Sequence, residues 1–294
     1  MQPSERASEP GPVRWLDSHA HLDAAEFDPD RAAVLQRAAA AGVAGVLIPA
    51  VHPGHWDDLV AAASAPVSYP GAQPILALAL GVHPMYVDEA SAPALGVLAA
   101  RWTAQTLPPC VVAVGECGLD GFVPAPTLVQ QQPVLERQIR LAKAWSLPLV
   151  LHSRHAVDAV AALLRRAHFG GGGIAHAFAG SWQQACALLD LGLKLGLGGA
   201  MTHDRAQRLQ GIARRLPPDA FVLETDAPDM APAWLRTPGQ PPARNDSSEL
   251  PRIAALLAQW RGVALPDLAA QVWDNTLAAL PRSRALWGSY SERM

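Results

Sequence analysis

The chain has 294 residues, 50% of them hydrophobic, and a formal net charge of −3. This composition is typical of a folded domain with a sizeable apolar core, and the near-neutral charge argues against a protein that coats nucleic acid along a basic track. No apolar run reaches the roughly 20 residues needed to span a bilayer, so we expect no membrane association.

The N-terminal residues and the cysteines indicate how the chain is organised and where it works. Residues 1–13 are polar, rich in Pro and Glu, and lack the apolar segment of a secretory signal. We therefore predict a flexible tail over residues 1–13 and a single domain over residues 14–294. The three cysteines, Cys110, Cys117 and Cys186, are too few for a disulfide framework, so we expect a cytoplasmic protein.

Eight short apolar runs alternate with segments of helical periodicity along the chain. Some of these runs, such as residues 75–82, are apolar throughout, which is the pattern of parallel strands buried on both faces. We predict strands at Trp15–Asp17, Gly45–Ala50, Ile75–Val82, Val111–Gly115, Leu149–Leu151, Gly173–Ala175, Leu193–Leu197 and Phe221–Glu224.

The segments between the runs have the spacing of helices. Arg31–Ala41 is rich in alanine and is followed by Gly42, a helix-stop signal, while residues 250–257 carry apolar side chains at positions i, i+3, i+4 and i+7. Eight strands, each followed by a helix, predict an α/β fold, a TIM (β/α)8 barrel in a single domain. A doubly wound sheet is the competing fold, but no G-x-G-x-x-G follows the first strand.

Side chains that bind metals follow most of the predicted strands. His19 and His21 come directly after the first strand, and residues i and i+2 of an extended chain point the same way. The carboxyl ends of all eight strands meet at one rim of a TIM barrel, where active sites lie. The candidate metal ligands at this rim are His19, His21, Glu116, His152, His176 and Asp226.

Six ligands exceed the four that one tetrahedral ion takes. Imidazole and carboxylate groups together suit zinc, manganese and cobalt, and two ions about 3.5–4 Å apart that share a carboxylate would use all six groups. Such a pair lowers the pKa of a bridging water and stabilises both oxygens of a phosphoryl displacement. We therefore predict two divalent metal ions as cofactors, drawn from Zn, Mn, Co or Mg.

Six motifs, in this order, make the chain similar to the TatD family of metal-dependent hydrolases and deoxyribonucleases over residues 14–280. The motifs are Asp17-Ser18-His19-Ala20-His21-Leu22-Asp23, Gly81-Val82-His83-Pro84, Gly115-Glu116-Cys117-Gly118-Leu119-Asp120, Pro148-Leu149-Val150-Leu151-His152-Ser153-Arg154, His176-Ala177-Phe178-Ala179-Gly180 and Leu223-Glu224-Thr225-Asp226-Ala227-Pro228. The resemblance implies an amidohydrolase-like barrel in which Glu116 bridges the two ions. It also implies that His19, His21 and Asp226 complete one metal site, and that His152 and His176 complete the other.

The chain departs from the family pattern in two predicted rim loops, residues 121–130 and 229–249. Many members carry aromatic residues where this chain has Gly121-Phe122-Val123-Pro124, and Arg-Asn-Glu-Pro where it has Arg244-Asn245-Asp246-Ser247. These departures bear on the substrate rather than on the metal chemistry.

Three further residues are candidates for binding substrate. Arg154 and Arg244 each either hold a phosphate, because the guanidinium fork matches phosphate oxygens, or pair with a nearby acid. His83 either touches substrate or only holds the turn at Pro84. Glu224 is expected to be a buried partner of the site rather than a ligand.

The predicted activity is that of a metal-dependent hydrolase, a phosphodiesterase or deoxyribonuclease that cleaves DNA ends with a water activated by two ions. Glu116 and Asp226 are the catalytic candidates, with Asp226 positioning or deprotonating the water. The expected partner is nucleic acid as substrate, in particular single-stranded DNA ends. We expect neither a membrane nor an obligate protein partner.

Two other functions remain open at this stage. An amide, ester or lactone hydrolase on a similar barrel would be favoured by a carbamylated lysine between the metals, but neither Lys143 nor Lys194 ends a strand beside the ligands. A nucleic-acid-binding scaffold without metals would require a broken ligand set, and all six ligand positions are intact.

Overall fold

Eight parallel strands follow one another in chain order around a barrel, with helices in the connections between them. The computed structural model describes residues 13–65, 73–237, 239–241 and 243–288. The strands are β1 Trp15–Asp17, β2 Val43–Pro49, β3 Ile75–Ala79, β4 Val111–Gly118, β5 Leu149–His152, β6 Gly173–Ala175, β7 Leu193–Leu197 and β8 Phe221–Leu223. The predicted TIM barrel is confirmed, while the predicted tail lies outside the described residues except for Val13.

Ten helices lie in the described part of the chain, and local sequence signals mark the ends of some of them. They are α1 Arg31–Ala40, α2 Trp56–Ser64, α3 Ser91–Arg101, α4 Leu128–Trp145, α5 Val157–Arg166, α6 Trp182–Leu189, α7 Gln207–Arg215, α8 Leu250–Arg261, α9 Leu265–Ala279 and α10 Arg284–Trp287. Gly42 follows α1 with φ +88, a conformation that a side chain would strain. α6 begins with a capping box between Ser181 and Gln184. No helix of the described residues is long and apolar enough to cross a membrane.

Five strands, β2, β3, β4, β5 and β8, differ from the predicted bounds, and the largest differences are the three residues by which the carboxyl ends of β3 and β4 are displaced. β3 ends at Ala79, three residues early, because the backbone N–H and C=O of Val82 bond to the Gln138 side chain rather than to a strand, at 2.7 and 3.1 Å. β4 continues to Gly118, and its register with β5 shifts between Val114 and Cys117. This bulge adds one residue to β4 beside the position of Glu116.

Polar contacts join the first strand to the last. The backbone N–H of Ser18 donates to the Leu223 carbonyl at 3.1 Å. The Asp17 carboxylate accepts hydrogen bonds from the Thr225 backbone at 3.0 Å and from its hydroxyl at 2.6 Å. These bonds bring the loops after β1 and β8 together in a barrel that is nearly closed.

Both faces of the strands are buried, as the continuous apolar runs predict. Leu47 belongs to one apolar cluster, and its neighbours Val46 and Ile48 belong to a second cluster that also contains helix residues. This division arises because successive side chains of a strand point to opposite faces. The cluster of Leu47 also contains Trp273 of α9 and Trp287 of α10. The strands are thereby fixed on both faces, and polar side chains gather at their carboxyl ends.

Candidate metal centre

The six predicted ligands meet at the carboxyl end of the barrel. His19 and His21 follow β1, Glu116 lies in β4, His152 ends β5, and His176 and Asp226 follow β6 and β8. Possible ligand atoms lie no more than 4.8 Å apart within each of three groups, which are His19, His21 and Asp226, then His19, Glu116 and His176, and finally His83, Glu116 and His152. The structure therefore brings together residues that are more than 200 positions apart in the chain, while their role as ligands stays a prediction.

Glu116 occupies the middle of this cluster and divides it in two. Its Oε2 lies 3.1 Å from His19 Nε2 and 3.4 Å from His21 Nε2. Its Oε1 lies 3.1 Å from His152 Nδ1 and 2.8 Å from His176 Nε2. Oε2 thus faces His19 and His21, whereas Oε1 faces His152, His176 and also His83, whose Nε2 lies 3.2 Å away.

The donor atoms are arranged as they would be around cations. His19 Nε2 faces His21 Nε2 at 3.3 Å, and His152 Nδ1 faces His176 Nε2 at 3.2 Å. The buried Oε2 of Glu116 accepts no hydrogen bond within the described residues. Converging ring nitrogens and a buried carboxylate oxygen that has imidazoles nearby but no hydrogen bond fit divalent ions of the zinc or manganese type.

The electrostatics of the cluster favour positive charge. Burial opposes ionisation of Glu116, but the attraction of His176, His83 and His19 outweighs it and holds the pKa of the carboxyl well below its usual range. Burial also acts to lower the pKa of His21, yet Glu116 raises it to about 9, and the same balance raises the pKa of His176 to about 10. The cluster therefore attracts cations, whether protons or metal ions.

Backbone contacts hold Asp226 in an uncommon conformation. Its φ of 55 lies in the left-handed region, which non-glycine residues adopt rarely and at a cost in energy. Its N–H donates to the His19 carbonyl at 2.8 Å. The Asn245 amide donates to the carbonyls of Thr225 and Asp229, both at 2.8 Å, and so fixes the loop on either side of Asp226.

Asp120 is a site residue for which the sequence analysis assigned no role. Its Oδ2 lies 2.9 Å from His152 Nε2, and its Oδ1 accepts the backbone N–H of Phe122 at 2.7 Å. Because Asp120 accepts from Nε2, the neutral His152 ring carries its proton there, and the lone pair of Nδ1 faces Glu116. Alternation along an extended β4 would have put Glu116, Gly118 and Asp120 on one side, and this is the signal that could have identified Asp120.

His83 faces the cluster as a hydrogen-bond donor. Its Nδ1 accepts the backbone N–H of Met85 at 3.1 Å, so the neutral ring carries its proton on Nε2, which lies 3.2 Å from Glu116 Oε1. Burial lowers the pKa of His83 despite the attraction of Glu116, which keeps the ring neutral. His83 thus holds its turn and also faces the centre, while its contact with substrate stays a prediction.

The loop after β6 is anchored by Glu224. This buried side chain accepts the backbone N–H of Ala177, the residue after His176, at 2.5 Å. Its carboxylate fills the space in which a Cβ at position 196 would lie, so glycine is required there. Glu224 belongs to none of the groups of possible ligand atoms among the described residues, and its role as a partner of the site stays a prediction.

The two predicted phosphate-binding arginines have different surroundings. Arg154 lines the cavity above the cluster, and its guanidinium stacks 3.7 Å from the ring centre of Phe122. Arg244 instead pairs with both carboxylate oxygens of Asp30, at 2.8 and 2.7 Å, and is not among the described residues that line the cavity. Contact of Arg244 with the substrate would require this ion pair to break. Arg208, which the sequence analysis did not single out, lines the cavity.

A cavity of about 1540 Å³ opens over the cluster. Small-molecule pockets usually occupy about 300–1,000 Å³, so this space exceeds the needs of a small substrate. Met85 and Tyr86 line one part of it, and both are about half exposed. The cavity can therefore hold several linked polar and aromatic groups next to the cluster.

Comparisons with known proteins agree with this geometry. The sequence profile of the family described as TatD related DNase matches residues 16–281. The uncharacterized metal-dependent hydrolase YjjV of Escherichia coli is 38% identical over 263 residues, which cover 90% of this chain and 96% of the relative. The protein named 3'-5' ssDNA/RNA exonuclease TatD of Pantoea ananatis is 33% identical over 266 residues, which cover 88% of this chain and 96% of the relative.

Solved structures share the architecture. The crystal structure of Escherichia coli YjjV superposes with a TM-score of 0.82 at 35% identity, covering 92% of this chain and 98% of that chain. A TatD family hydrolase from Entamoeba histolytica superposes with a TM-score of 0.75 at 18% identity, covering 91% and 98%, and this likeness concerns the fold alone.

Proposed function

Because the chain belongs to the TatD family of metal-dependent hydrolases, we propose that it cleaves phosphodiester bonds at the ends of single-stranded nucleic acid with the aid of two divalent ions. The observation that carries this proposal is the position of Glu116, whose Oε2 faces the candidate ligands His19 and His21 while its Oε1 faces the candidate ligands His152 and His176. A carboxylate placed in this way suits a bridge between two ions, and paired ions suit phosphoryl displacement. Relatives named as single-stranded DNA and RNA exonucleases support the choice of substrate.

In this proposal, each candidate ligand is assigned to an ion according to the Glu116 oxygen that it lies near. His19, His21 and Asp226 would hold one ion with Glu116 Oε2. His152 and His176 would hold the other with Glu116 Oε1. Zinc, manganese, cobalt and magnesium are the candidate ions, and when bound they would lower the pKa of a water and offset charge on the phosphate.

Asp226 takes the proton of the attacking water in this proposal. Its Oδ1 lies 3.5 Å from His19 Nε2 and 3.9 Å from His176 Nδ1, at the border between the two donor sets. In the metal-free protein, burial raises the pKa of Asp226 against the attraction of His176 and His21. A bound cation would lower this pKa, so the carboxylate would be ionised and able to accept the proton when the ions are present. The imidazoles beside it then stabilise the carboxylate when it is ionised again.

Two groups at the cavity wall suit the phosphate itself. His83 offers the Nε2–H that its bond to Met85 fixes, and this donor can reach a phosphoryl oxygen near Glu116. Arg154 offers a guanidinium with no salt bridge among the described residues, held flat against Phe122. Both donors would stabilise negative charge that develops on the phosphate during cleavage.

The test is a substrate comparison with metal-loaded protein. End-labelled single-stranded DNA and RNA, blunt duplex DNA and bis(p-nitrophenyl) phosphate are compared with p-nitrophenyl esters, lactones and amides, each with and without chelator. We expect chelator-sensitive shortening of single strands from one end. Efficient ester or amide hydrolysis with no turnover of any phosphodiester would overturn the proposal in favour of the amidohydrolase-type alternative. The cytoplasmic location expected from the cysteines stays a prediction, which fractionation of cells would test.

A further inference from the structure

Charged side chains are distributed unevenly around the cavity. The loop after β1 contributes Asp23, Glu26 and Asp28, and the neighbouring loop after β8 contributes Asp229. The loop after β5 contributes Arg154, and α7, which follows β7, contributes Arg208. We call the part of the cavity wall formed by the loops after β1 and β8 the acidic side, and the part that carries Arg154 and Arg208 the basic side.

Arginines near the acidic side have their charge offset, whereas those of the basic side do not. Arg31 pairs with Asp28 at 2.6 Å, and Arg244 pairs with Asp30. Neither Arg154 nor Arg208 forms a salt bridge with any residue that the structure describes. The positive charge available to an anionic substrate thus lies on the basic side.

The guanidinium of Arg208 is held in position by the loop after β6. Its Nη2 donates to the Ala179 carbonyl at 2.9 Å, and Ala179 lies three residues after His176 in a loop that lines the cavity. One N–H group is engaged in this bond, which leaves others to donate into the cavity. A side chain that is already anchored loses less freedom when it binds an anion.

The remaining groups on the basic side offset this charge only in part. Asp158 also lines the cavity there, but its Oδ2 accepts the amide of Gln184 at 2.9 Å. Gly180 and Ser181, which precede α6, line the same side, so the partly positive N-terminus of that helix adds to the charge of Arg208.

We infer that Arg208 binds a second phosphate of the substrate, next to the one that is cleaved, so that the strand leaves the metal centre over the basic side. The inference rests on the proposed function and goes beyond it by giving the strand a direction across the cavity. The acidic side would repel a chain of phosphates, while Arg208 would form charge-assisted hydrogen bonds with one. Binding of only one or two phosphates also agrees with the net charge of −3, because a chain with this charge has no excess of basic residues to form a long basic track.

The experiment compares three thymidine dinucleotides with metal-loaded protein. TpT carries only the phosphate that is cleaved, whereas pTpT and TpTp each carry one additional phosphate, at the 5' and 3' end respectively. We expect wild-type protein to have a higher kcat/KM for one of the two longer substrates than for TpT. Arg208→Gln should reduce this preference by about five- to tenfold, and the preference of the wild type should fall as salt is raised.

Arg165→Gln is the matched control, because Arg165 is exposed on α5 and does not line the cavity. This control should keep the wild-type preference, and thermal melting should show that both variants are folded. Equal kcat/KM of the wild type for all three substrates would overturn the inference. So would an Arg208→Gln variant that loses activity on all three in equal proportion, because that result would place Arg208 in support of the loop rather than on a phosphate.

Failure of the proposed function would look different. Wild-type protein would then hydrolyse none of the three dinucleotides, nor bis(p-nitrophenyl) phosphate, and the inference would fall with the function. Turnover of TpT without any effect of the additional phosphate would overturn the inference alone.

Discussion

At the scale of single residues, the candidate centre depends on hydrogen bonds that set which atom of each histidine carries a proton. His152 bonds to Asp120 through Nε2, and His83 accepts the Met85 N–H through Nδ1. As a result, His152 presents a lone pair to Glu116, whereas His83 presents an N–H. Two histidines that lie 3.2 Å apart thereby acquire different chemistry, His152 as a candidate ligand and His83 as a donor.

Asp120→Asn should weaken the binding of the ion that His152 would help to hold. An asparagine amide can turn its NH2 towards Nε2, which would remove the acceptor that fixes the ring, and losses of such partners typically cost about 10–100-fold in metal affinity or activity. Metal titration of the metal-free variant measures this effect. Glu26→Gln is the control, because Glu26 is an exposed carboxylate at the same cavity. Wild-type affinity for both ions in Asp120→Asn would contradict the assigned role.

Metal loading should release protons at neutral pH. The pKa of His21 is raised to about 9 and that of His176 to about 10, so both rings are protonated at pH 7 in the metal-free protein. Metals bind only neutral imidazole, so each ring must lose its proton, and apparent affinity should rise with pH up to these pKa values. Calorimetry in two buffers of different ionisation enthalpy measures the release. A binding enthalpy independent of the buffer would contradict this prediction.

Arg154→Ala should raise KM for single-stranded DNA about five- to tenfold while metal content stays at the wild-type level. The guanidinium lines the cavity and stacks on Phe122, but it contacts none of the six candidate ligands in the described structure. Arg154→Lys keeps the charge without the planar fork, so it should recover only part of the loss. A normal KM in Arg154→Ala, or a loss of metal, would show that the residue does not bind phosphate.

At the scale of elements, helix α4 fixes two of the loops that form the site. Gln138 bonds to both backbone groups of Val82, which directly precedes His83. Gln131 accepts the backbone N–H of Asp120 at 2.8 Å and donates to its carbonyl at 3.1 Å. Two buried amides on one helix therefore set the backbone on which His83 and Asp120 stand.

Gln138→Leu should lower the free energy of unfolding by about 2–5 kcal/mol, because it leaves the buried N–H and C=O of Val82 without partners. Urea or thermal unfolding measures this change. Gln132→Leu is the control on the same helix, since Gln132 is exposed and bonds only to Glu136 in the described structure, and it should change stability by less than about 0.5 kcal/mol. Equal effects of the two substitutions would show that the bonds to Val82 do not stabilise the loop.

The sequence predicts the elements and the candidate ligands because both follow from local rules. Apolar runs identify the strands, and a barrel places the residues that follow them, such as His19 and Asp226, at one rim. The contacts that orient these residues are non-local and leave no local pattern. Asp30, for example, lies 214 positions from Arg244, and nothing near either residue indicates that they pair.

At the scale of the whole molecule, the barrel makes one site out of distant segments. His19 and Asp226 lie more than 200 positions apart in the chain, and the contact between β1 and β8 places their loops side by side through Asp17 and Thr225. β4 lies across the barrel from β1 and β8, and it supplies Glu116, which lies between the two sets of candidate ligands. The candidate centre therefore requires the closed order of the strands and cannot form from any one half of them.

The number of ions bound by two ligand variants tests the bridging role of Glu116 most directly. Metal-free wild-type protein, Glu116→Ala and His176→Ala are loaded with manganese or zinc, and the bound ions are counted by elemental analysis, with thermal melting to confirm folding. We expect two ions in the wild type, severe loss of both in Glu116→Ala and loss of mainly one in His176→Ala. Two ions bound to Glu116→Ala at wild-type affinity would contradict the bridging role and, with it, the proposed two-ion chemistry.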